Sequence, residues 1–254
     1  MPTASPPRWR ANDPILFGSL RLGLSASVLG TSLTKLPRSG RAHRLWLGLE
    51  CAALFLGLPA AVAAGWIRTW VIPLLLLMAV VCGLTLRWRH NIHLLDFIRP
   101  RVPGPEWRRV LLLYALAAPG LTLLLAIAKP DDLFSLVRQH PKIWLLVMFA
   151  YPVVSVFPQE LVYRAFFFER YQPIFGRGRG MVAASSAVFA FGHIVFHNWP
   201  AVLLAGVGGW LFATTFRRTS SLLLVSVEHA LYGGAIFTIG YGQFFFDGTL
   251  RLFR

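Results

Sequence analysis

Residues 110–128 read VLLLYALAAPGLTLLLAIA and contain no charged side chain. A helix needs about 20 mostly apolar residues to cross the hydrocarbon core of a bilayer, so this stretch predicts a membrane span. Six more apolar runs of similar length occur at residues 45–67, 69–86, 142–158, 181–198, 199–216 and 220–240. A weaker amphipathic stretch at 14–34 predicts either an interfacial helix or an eighth span. We therefore expect an all-α, polytopic transmembrane helical bundle of about seven to eight spans.

Composition supports a membrane protein and argues against a nucleic-acid-binding one. The chain is 56% hydrophobic and 14% charged, whereas soluble domains carry about 25% charged residues. Its net charge of +15 comes from short Lys and Arg clusters between the apolar runs, as topology signals do. No basic stripe with interleaved aromatic residues forms a surface for phosphates, so we expect no nucleic-acid partner.

The distribution of basic residues predicts the orientation of the bundle. With a cytoplasmic N-terminus and seven crossings, eighteen Lys and Arg residues fall on one side and six on the other. Basic residues concentrate on the cytoplasmic side of membrane proteins. We divide the chain into a basic cytoplasmic or interfacial N-terminal segment, 1–44, and a transmembrane bundle, 45–254. The expected location is a bacterial plasma membrane, with the N-terminus in the cytoplasm.

Six ionisable residues lie in or beside the apolar runs, where such groups are costly and usually mark function. They are Glu50, Glu160, Glu228, His193, His197 and His229. Glu160 and Arg164 are four residues apart and share a helix face. They are interpreted either as an ion pair that makes a buried polar site tolerable, or as a carboxylate that Arg164 keeps ionised so that it activates water.

The three histidines belong to two helices. His193 and His197 also share a face, but His197 is near the helix end and its position is typical of an interfacial residue. His229 lies near the middle of its span, and Glu228 points about 100° away from it. Glu228 is interpreted as a residue of a helix–helix contact. Because two histidines lie on one helix and a third lies on another, the pattern favours a chemical function for them over a purely structural role.

These residues resemble the motifs of the CPBP family of intramembrane proteases, also called the CAAX protease or Abi family. The family pattern is Glu-Glu-x-x-x-Arg, then Phe-x-x-x-His, then His-x-x-x-Asn or Asp, on separate membrane helices. Residues 159–164 (QELVYR) are similar to the first motif, residues 189–193 (FAFGH) to the second and residues 229–233 (HALYG) to part of the third. The resemblance covers a CPBP-like core at about 142–240.

The resemblance implies an intramembrane endopeptidase of glutamate type that hydrolyses a peptide bond near the membrane. Glu160 and His193 would position and deprotonate a water molecule, His229 would stabilise the oxyanion, and Arg164 would orient the carboxylate. The implied substrate is a hydrophobic peptide or the C-terminal segment of a protein, bound within membrane lipid. No cofactor is required in this mechanism.

Two positions depart from the family pattern. Gln159 stands where the family has its first glutamate, and Gly233 stands where the third motif has Asn or Asp. Either a kink at Pro158 lets Glu160 take over, or the protein is a catalytically impaired, peptide-binding protein of the immunity or chaperone kind. Glu160, His193 and His229 are all present, which favours an active enzyme.

Two further functions use the same residues. Older descriptions of the family as metalloproteases imply zinc, with Glu160, His193, His197 and His229 as ligands. However, the helix with His193 and His197 lacks the intervening glutamate of His-Glu-x-x-His. A proton-coupled transporter would also bury Glu and His residues. The polar residues cluster in one half of the chain and no inverted repeat is visible, which argues against the transporter.

Overall fold

A computed structural model of the protein describes residues 40–67, 70–89, 92–98 and 102–245. Within these ranges, seven helices are long and apolar enough to cross a membrane. They are α1 (Arg41–Ala63), α2 (Val71–Arg89), α3 (Gly104–Ala128), α4 (Pro141–Arg170), α5 (Arg179–Phe196), α6 (Trp199–Thr219) and α7 (Leu222–Ile239). Short helical segments at Leu94–Ile98, Pro130–Asp132, Ser135–Gln139, Gln172–Phe175 and Tyr241–Phe245 lie between or after them. The prediction of an all-α membrane bundle is confirmed, and the stretch at 14–34 lies outside the described residues.

Helix α4 is longer than the sequence indicated. It continues past the expected end at 158 to Arg170, although proline removes a backbone donor and crowds the preceding turn. Two π-helical turns, Pro152–Val156 and Leu161–Phe166, lie on either side of the α-helical segment Phe157–Glu160. Such wider turns are frequent at functional sites, although a third one, Ala53–Gly57, lies in α1. As a result, one continuous helix carries the whole of the first motif.

Helix α7 lies at the centre of the bundle. In its most apolar window 56% of the residues are buried, against 11% for α3. Helix α7 packs against α3, α4 and α6, and α6 in turn packs along α5. The motifs on α4, α5 and α7 are therefore brought to the same region. Residues such as Leu116, Leu123 and Ile127 of α3 are exposed, as expected for side chains that face lipid.

Three highly exposed tryptophans lie near span ends, which is typical of residues at the membrane–water interface. Trp66 follows α1, Trp70 precedes α2 and Trp199 begins α6, with exposed fractions of 84%, 65% and 74%. Because consecutive spans cross in opposite directions, these three ends lie on the same side of the bundle. Asn198 caps α6 there, with its side-chain oxygen accepting from the backbone N–H of Ala201 at 2.9 Å.

An ion pair joins α1 to the far end of α4. The Arg170 guanidinium donates to both carboxylate oxygens of Glu50, at 2.8 and 2.6 Å, and the Tyr171 hydroxyl donates to Glu50 Oε1 at 3.1 Å. Burial and the nearby Glu50 carboxylate raise the pKa of Tyr171, so its hydroxyl stays protonated and keeps donating. Glu50, the one acid of the N-terminal half singled out in the sequence, thus has a structural explanation.

Candidate active site

One face of α4 lines a cavity of about 880 Å³ between the helices. Tyr151, Ser155 and Gln159 all lie on this face, because residues spaced by four point to the same side of a helix. The Gln159 amide nitrogen donates to Ser155 Oγ at 2.7 Å. Gln159, at the position where the family pattern has its first glutamate, therefore faces the cavity.

Glu160, the next residue, is turned to a different environment and is fully buried. Its Oε1 atom accepts from His229 Nδ1 at 2.8 Å, and its Oε2 atom lies 3.2 Å from Arg164 Nε. The second contact is an ion pair by distance without the alignment of a hydrogen bond. The Arg164 guanidinium lies over the ring of Phe189, 4.5 Å from its centroid. Paired in this way, a buried carboxylate and a buried guanidinium are tolerated.

His229 connects this ion pair to the cavity. A carboxylate only accepts hydrogen bonds, so Nδ1 carries a proton and Nε2 points away from Glu160. Nε2 lies 3.1 Å from the hydroxyl of Tyr151. The Phe212 ring stacks on the imidazole, with centroids 4.5 Å apart and planes at 19°. Glu160 and Tyr151 thus contact the two nitrogens of His229, and Phe212 covers one face of its ring. His229 is also one of the residues that line the cavity.

His193 reaches the same cavity from the end of α5. There the helix tightens into the turn His193–Phe196, which packs against Leu58–Ala63 of α1. His193 Nδ1 is 2.7 Å from the backbone oxygen of Phe189. A carbonyl oxygen only accepts, so Nδ1 is the protonated nitrogen, and the neutral ring keeps a lone pair on Nε2. His193 therefore has the form of a general base.

The structure brings the candidate residues together to different degrees. Glu160, Arg164 and His229 are in direct contact, and the ring of Phe189 lies 4.7 Å from His193 and 5.7 Å from His229. His197 is exposed beyond the end of α5, in a left-handed conformation with φ of 56°.

Throughout the described part of the chain, no group of three or more His, Cys, Asp or Glu residues is arranged to hold a metal ion.

Glu228 occupies a separate polar region on the other side of α7. It is fully buried and lies beside Thr215, with the positive charges of Arg109 and Arg164 acting on it. The Arg109 guanidinium itself donates to the Thr215 hydroxyl. Arg109 belongs to α3, Arg164 to α4 and Thr215 to α6, so Glu228 faces other helices, and its interpretation as a residue of a helix–helix contact stays a prediction.

Comparison with known families covers the helices that carry the three motifs. Residues 141–235 match the family described as type II CAAX prenyl endopeptidase Rce1-like. The chain carries an Rce1-like region. This region runs from the first residue of α4 into α7 and contains all four predicted catalytic residues. The predicted resemblance to CAAX proteases is confirmed over this region, which is less than half of the chain, and the seven apolar helices indicate an integral membrane protein. No curated protein and no solved structure gives a significant match.

The Rce1-like region also contains a site residue that was not predicted from the sequence. Tyr151 contacts His229 and lines the cavity, yet it matches no part of the three motifs. One signal was available, because Tyr151, Ser155 and Gln159 repeat a polar group every four residues through an otherwise apolar span. That spacing places all three on one helix face, but it does not indicate which helix they meet.

Proposed function

We propose that the protein is an intramembrane endopeptidase in which His193 activates a water molecule and His229, held by Glu160, acts at the carbonyl oxygen. One observation carries the proposal: two imidazoles from different helices line a single cavity, and the Nδ1 atom of each is held by an acceptor behind it. In each ring Nε2 is the nitrogen that points away from this acceptor, and in His229 it lies 3.1 Å from the Tyr151 hydroxyl. This is the arrangement that general acid–base catalysis requires.

The reaction follows from these positions. His193 Nε2 takes a proton from water as the water oxygen bonds to the carbonyl carbon, and the carbonyl electron pair moves onto oxygen. When the C–N bond breaks, His193 returns the proton to the leaving amine. Glu160 is buried behind His229, so it acts as a positioning residue that fixes the imidazole, while Arg164 offsets its charge. A general base contributes about 10²–10⁴-fold in rate.

The test is cleavage by purified protein in detergent, using prenylated CAAX peptides and unprenylated hydrophobic C-terminal peptides. We expect His193→Ala and Glu160→Ala each to abolish cleavage while the protein remains folded and monodisperse. His140→Ala is the matched control, because His140 is an exposed histidine in the loop before α4. Unchanged cleavage in either site variant would refute the assignment.

Peptide binding without cleavage is the second candidate function. Gln159 favours it, because this amide faces the cavity and cannot take a proton at neutral pH. A protein of this kind would bind a hydrophobic peptide with micromolar or better affinity and release no product over many hours. Restoration of cleavage by Gln159→Glu would then identify the parent as an impaired protease.

The zinc alternative has a direct test as well. We propose that no cofactor is required, so extensive chelation should leave the cleavage rate within twofold of the untreated protein. Metal analysis of the same preparation provides the matching measurement. Stoichiometric zinc whose removal abolishes cleavage, and whose return restores it, would overturn this part of the proposal.

We further propose that the substrate segment enters from the membrane half opposite the basic helix ends. The cavity is lined by the end of α1, the start of α2, the end of α3 and the start of α4. Basic residues lie at the other ends of these spans; examples are Arg44, Arg87, Arg109 and Arg170. Under the positive-inside rule, those basic ends are cytoplasmic. A hydrophobic segment that has crossed the membrane, embedded in lipid, fits this side.

Cysteine labelling in intact bacterial cells tests that orientation. Trp199→Cys should react with a membrane-impermeant maleimide without permeabilisation, and Arg177→Cys should react only after it. The two native cysteines, Cys51 and Cys82, are buried and give a low background. The reverse labelling pattern would place the cavity in the cytoplasmic half and favour prenylated cytoplasmic substrates.

A further inference from the structure

The Tyr151 hydroxyl occupies a defined place in the cavity wall. It lies 3.1 Å from His229 Nε2, and the phenol ring packs edge-on against Phe237 with centroids 5.2 Å apart. The ring also meets the His229 imidazole at 82°. Two rings therefore fix the direction of the phenol, and its hydroxyl ends beside His229, which lines the cavity together with Tyr151.

Gly233 makes this position possible. It lies one turn after His229 on α7, on the same helix face. A Cβ atom built on Gly233 would be 2.5 Å from the Tyr151 hydroxyl oxygen and 2.7 Å from its Cζ atom. Any side chain at 233 would thus displace the phenol. Gly233 on α7 leaves room for Tyr151 on α4, and the Tyr151 hydroxyl occupies the space that a side chain at 233 would fill.

We propose that Tyr151 is a catalytic residue that donates a hydrogen bond to the oxyanion formed during peptide hydrolysis, an inference that rests on the function proposed above. In the tetrahedral intermediate the phenol O–H donates to the oxyanion. The phenol oxygen accepts from Nε2–H of His229, which carries both ring protons before and throughout the reaction and whose charge Glu160 balances, so no proton is transferred at this ring. No covalent bond to Tyr151 forms, and the proton taken from water remains on His193 until it passes to the leaving amine.

A structural role for the hydroxyl predicts different results. If Tyr151 only satisfied His229 Nε2, its loss would lower stability and change substrate binding and turnover together. An oxyanion donor acts in the transition state, so its loss lowers kcat with little change in KM. Removal of one such donor costs about 10²–10³-fold in rate. The two roles are therefore separable by kinetics.

The experiment compares Tyr151→Phe with the parent in detergent, using the best-cleaved hydrophobic peptide. We expect kcat to fall about 10²–10³-fold, with KM within threefold. The matched control is Tyr241→Phe, which also removes a phenol hydroxyl with a hydrogen bond, in this case to the backbone oxygen of Leu121 at 2.9 Å. That residue lies after α7 and outside the site, so its variant should keep kcat within twofold.

Inhibitor binding provides a second readout that does not depend on turnover. A peptide aldehyde, whose hydrate resembles the tetrahedral intermediate, should lose about the same factor in affinity for Tyr151→Phe as kcat does. The corresponding peptide alcohol should bind parent and variant equally. Equal loss for both inhibitors, or kcat within threefold of the parent, would overturn the role of Tyr151 alone. A parent that cleaves none of the peptides would overturn the proposed function, and with it this role.

Discussion

Helix α4 carries two ion pairs with contrasting surroundings. Near the middle of the helix, Glu160 and Arg164 are fully buried, and His229 is the third member of the group. At its end, Arg170 binds Glu50 with side chains that are 11% and 19% exposed, and the third member is a phenol. Both groups join α4 to another helix. They differ in that the central group ends in an imidazole beside a cavity, whereas the terminal group ends in a hydroxyl that stays protonated.

This contrast separates two uses of charge inside an apolar bundle. A bidentate arginine–carboxylate pair near the membrane surface fixes the geometry of two helices and keeps partial access to water. A buried pair pays a large desolvation penalty for which its own attraction rarely compensates. The presence of Glu160 and Arg164 is explained if the carboxylate has a further task, namely keeping a proton on Nδ1 of His229 and fixing the orientation of the ring.

The largest expected effect concerns the central pair, Glu160 with Arg164. Its contribution to stability can be separated from its contribution to cleavage. Arg164→Met leaves the Glu160 carboxylate buried without its cation, which should cost about 3–5 kcal/mol. The double variant Glu160→Gln with Arg164→Met removes both charges and should regain most of that stability, because a neutral pair needs no compensation. Thermal unfolding in one detergent measures both.

The stability that the double variant regains should not restore cleavage. His229 loses its anionic acceptor in the double variant, so we expect cleavage to remain at least about 10²-fold below the parent. A double variant that regained stability and cleavage together would show that the central pair has the same structural role as the Glu50 pair.

The terminal pair should give the opposite pattern. Glu50→Gln keeps the shape of the side chain but removes the charge that binds Arg170 and Tyr171. Because the pair retains contact with solvent, we expect a loss of about 1–2 kcal/mol in the free energy of unfolding. The kcat of the folded variant should stay within twofold. A loss of kcat greater than tenfold without unfolding would mean that this pair also controls the cavity.

The contrast between the two groups was only partly predictable from the sequence. Apolar runs locate the spans because a membrane helix must be hydrophobic over about 20 residues, and a spacing of four residues paired Glu160 with Arg164. The contact of Glu160 with His229 depends on how α4 packs against α7, which no local pattern encodes. Tyr151 was missed for the same reason, because its place depends on the absence of a side chain at Gly233.

Glu228 tests whether burial alone gives a carboxylate a catalytic role. It is as buried as Glu160, yet its neighbours are Thr215 and Arg109 on other helices. Glu228→Gln preserves the shape of the side chain and removes a buried charge, so it should not lower the free energy of unfolding by more than about 1 kcal/mol. We expect kcat within threefold. A loss comparable to that of Glu160→Ala would extend the catalytic group to this side of α7.

Substitution of His197 should give the smallest effect. It tests whether His193, which lines the cavity, acts independently of His197, which follows the end of α5. Its φ of 56° lies in the left-handed region, which costs energy for residues with a Cβ atom and little for glycine. His197→Gly should therefore raise the free energy of unfolding by about 0.5 kcal/mol after the greater entropy of the unfolded glycine is subtracted. Cleavage should be unchanged, because the side chain is exposed beyond α5. Loss of cleavage together with loss of bound zinc would instead identify His197 as a ligand, and His193 and His197 would then act as one site.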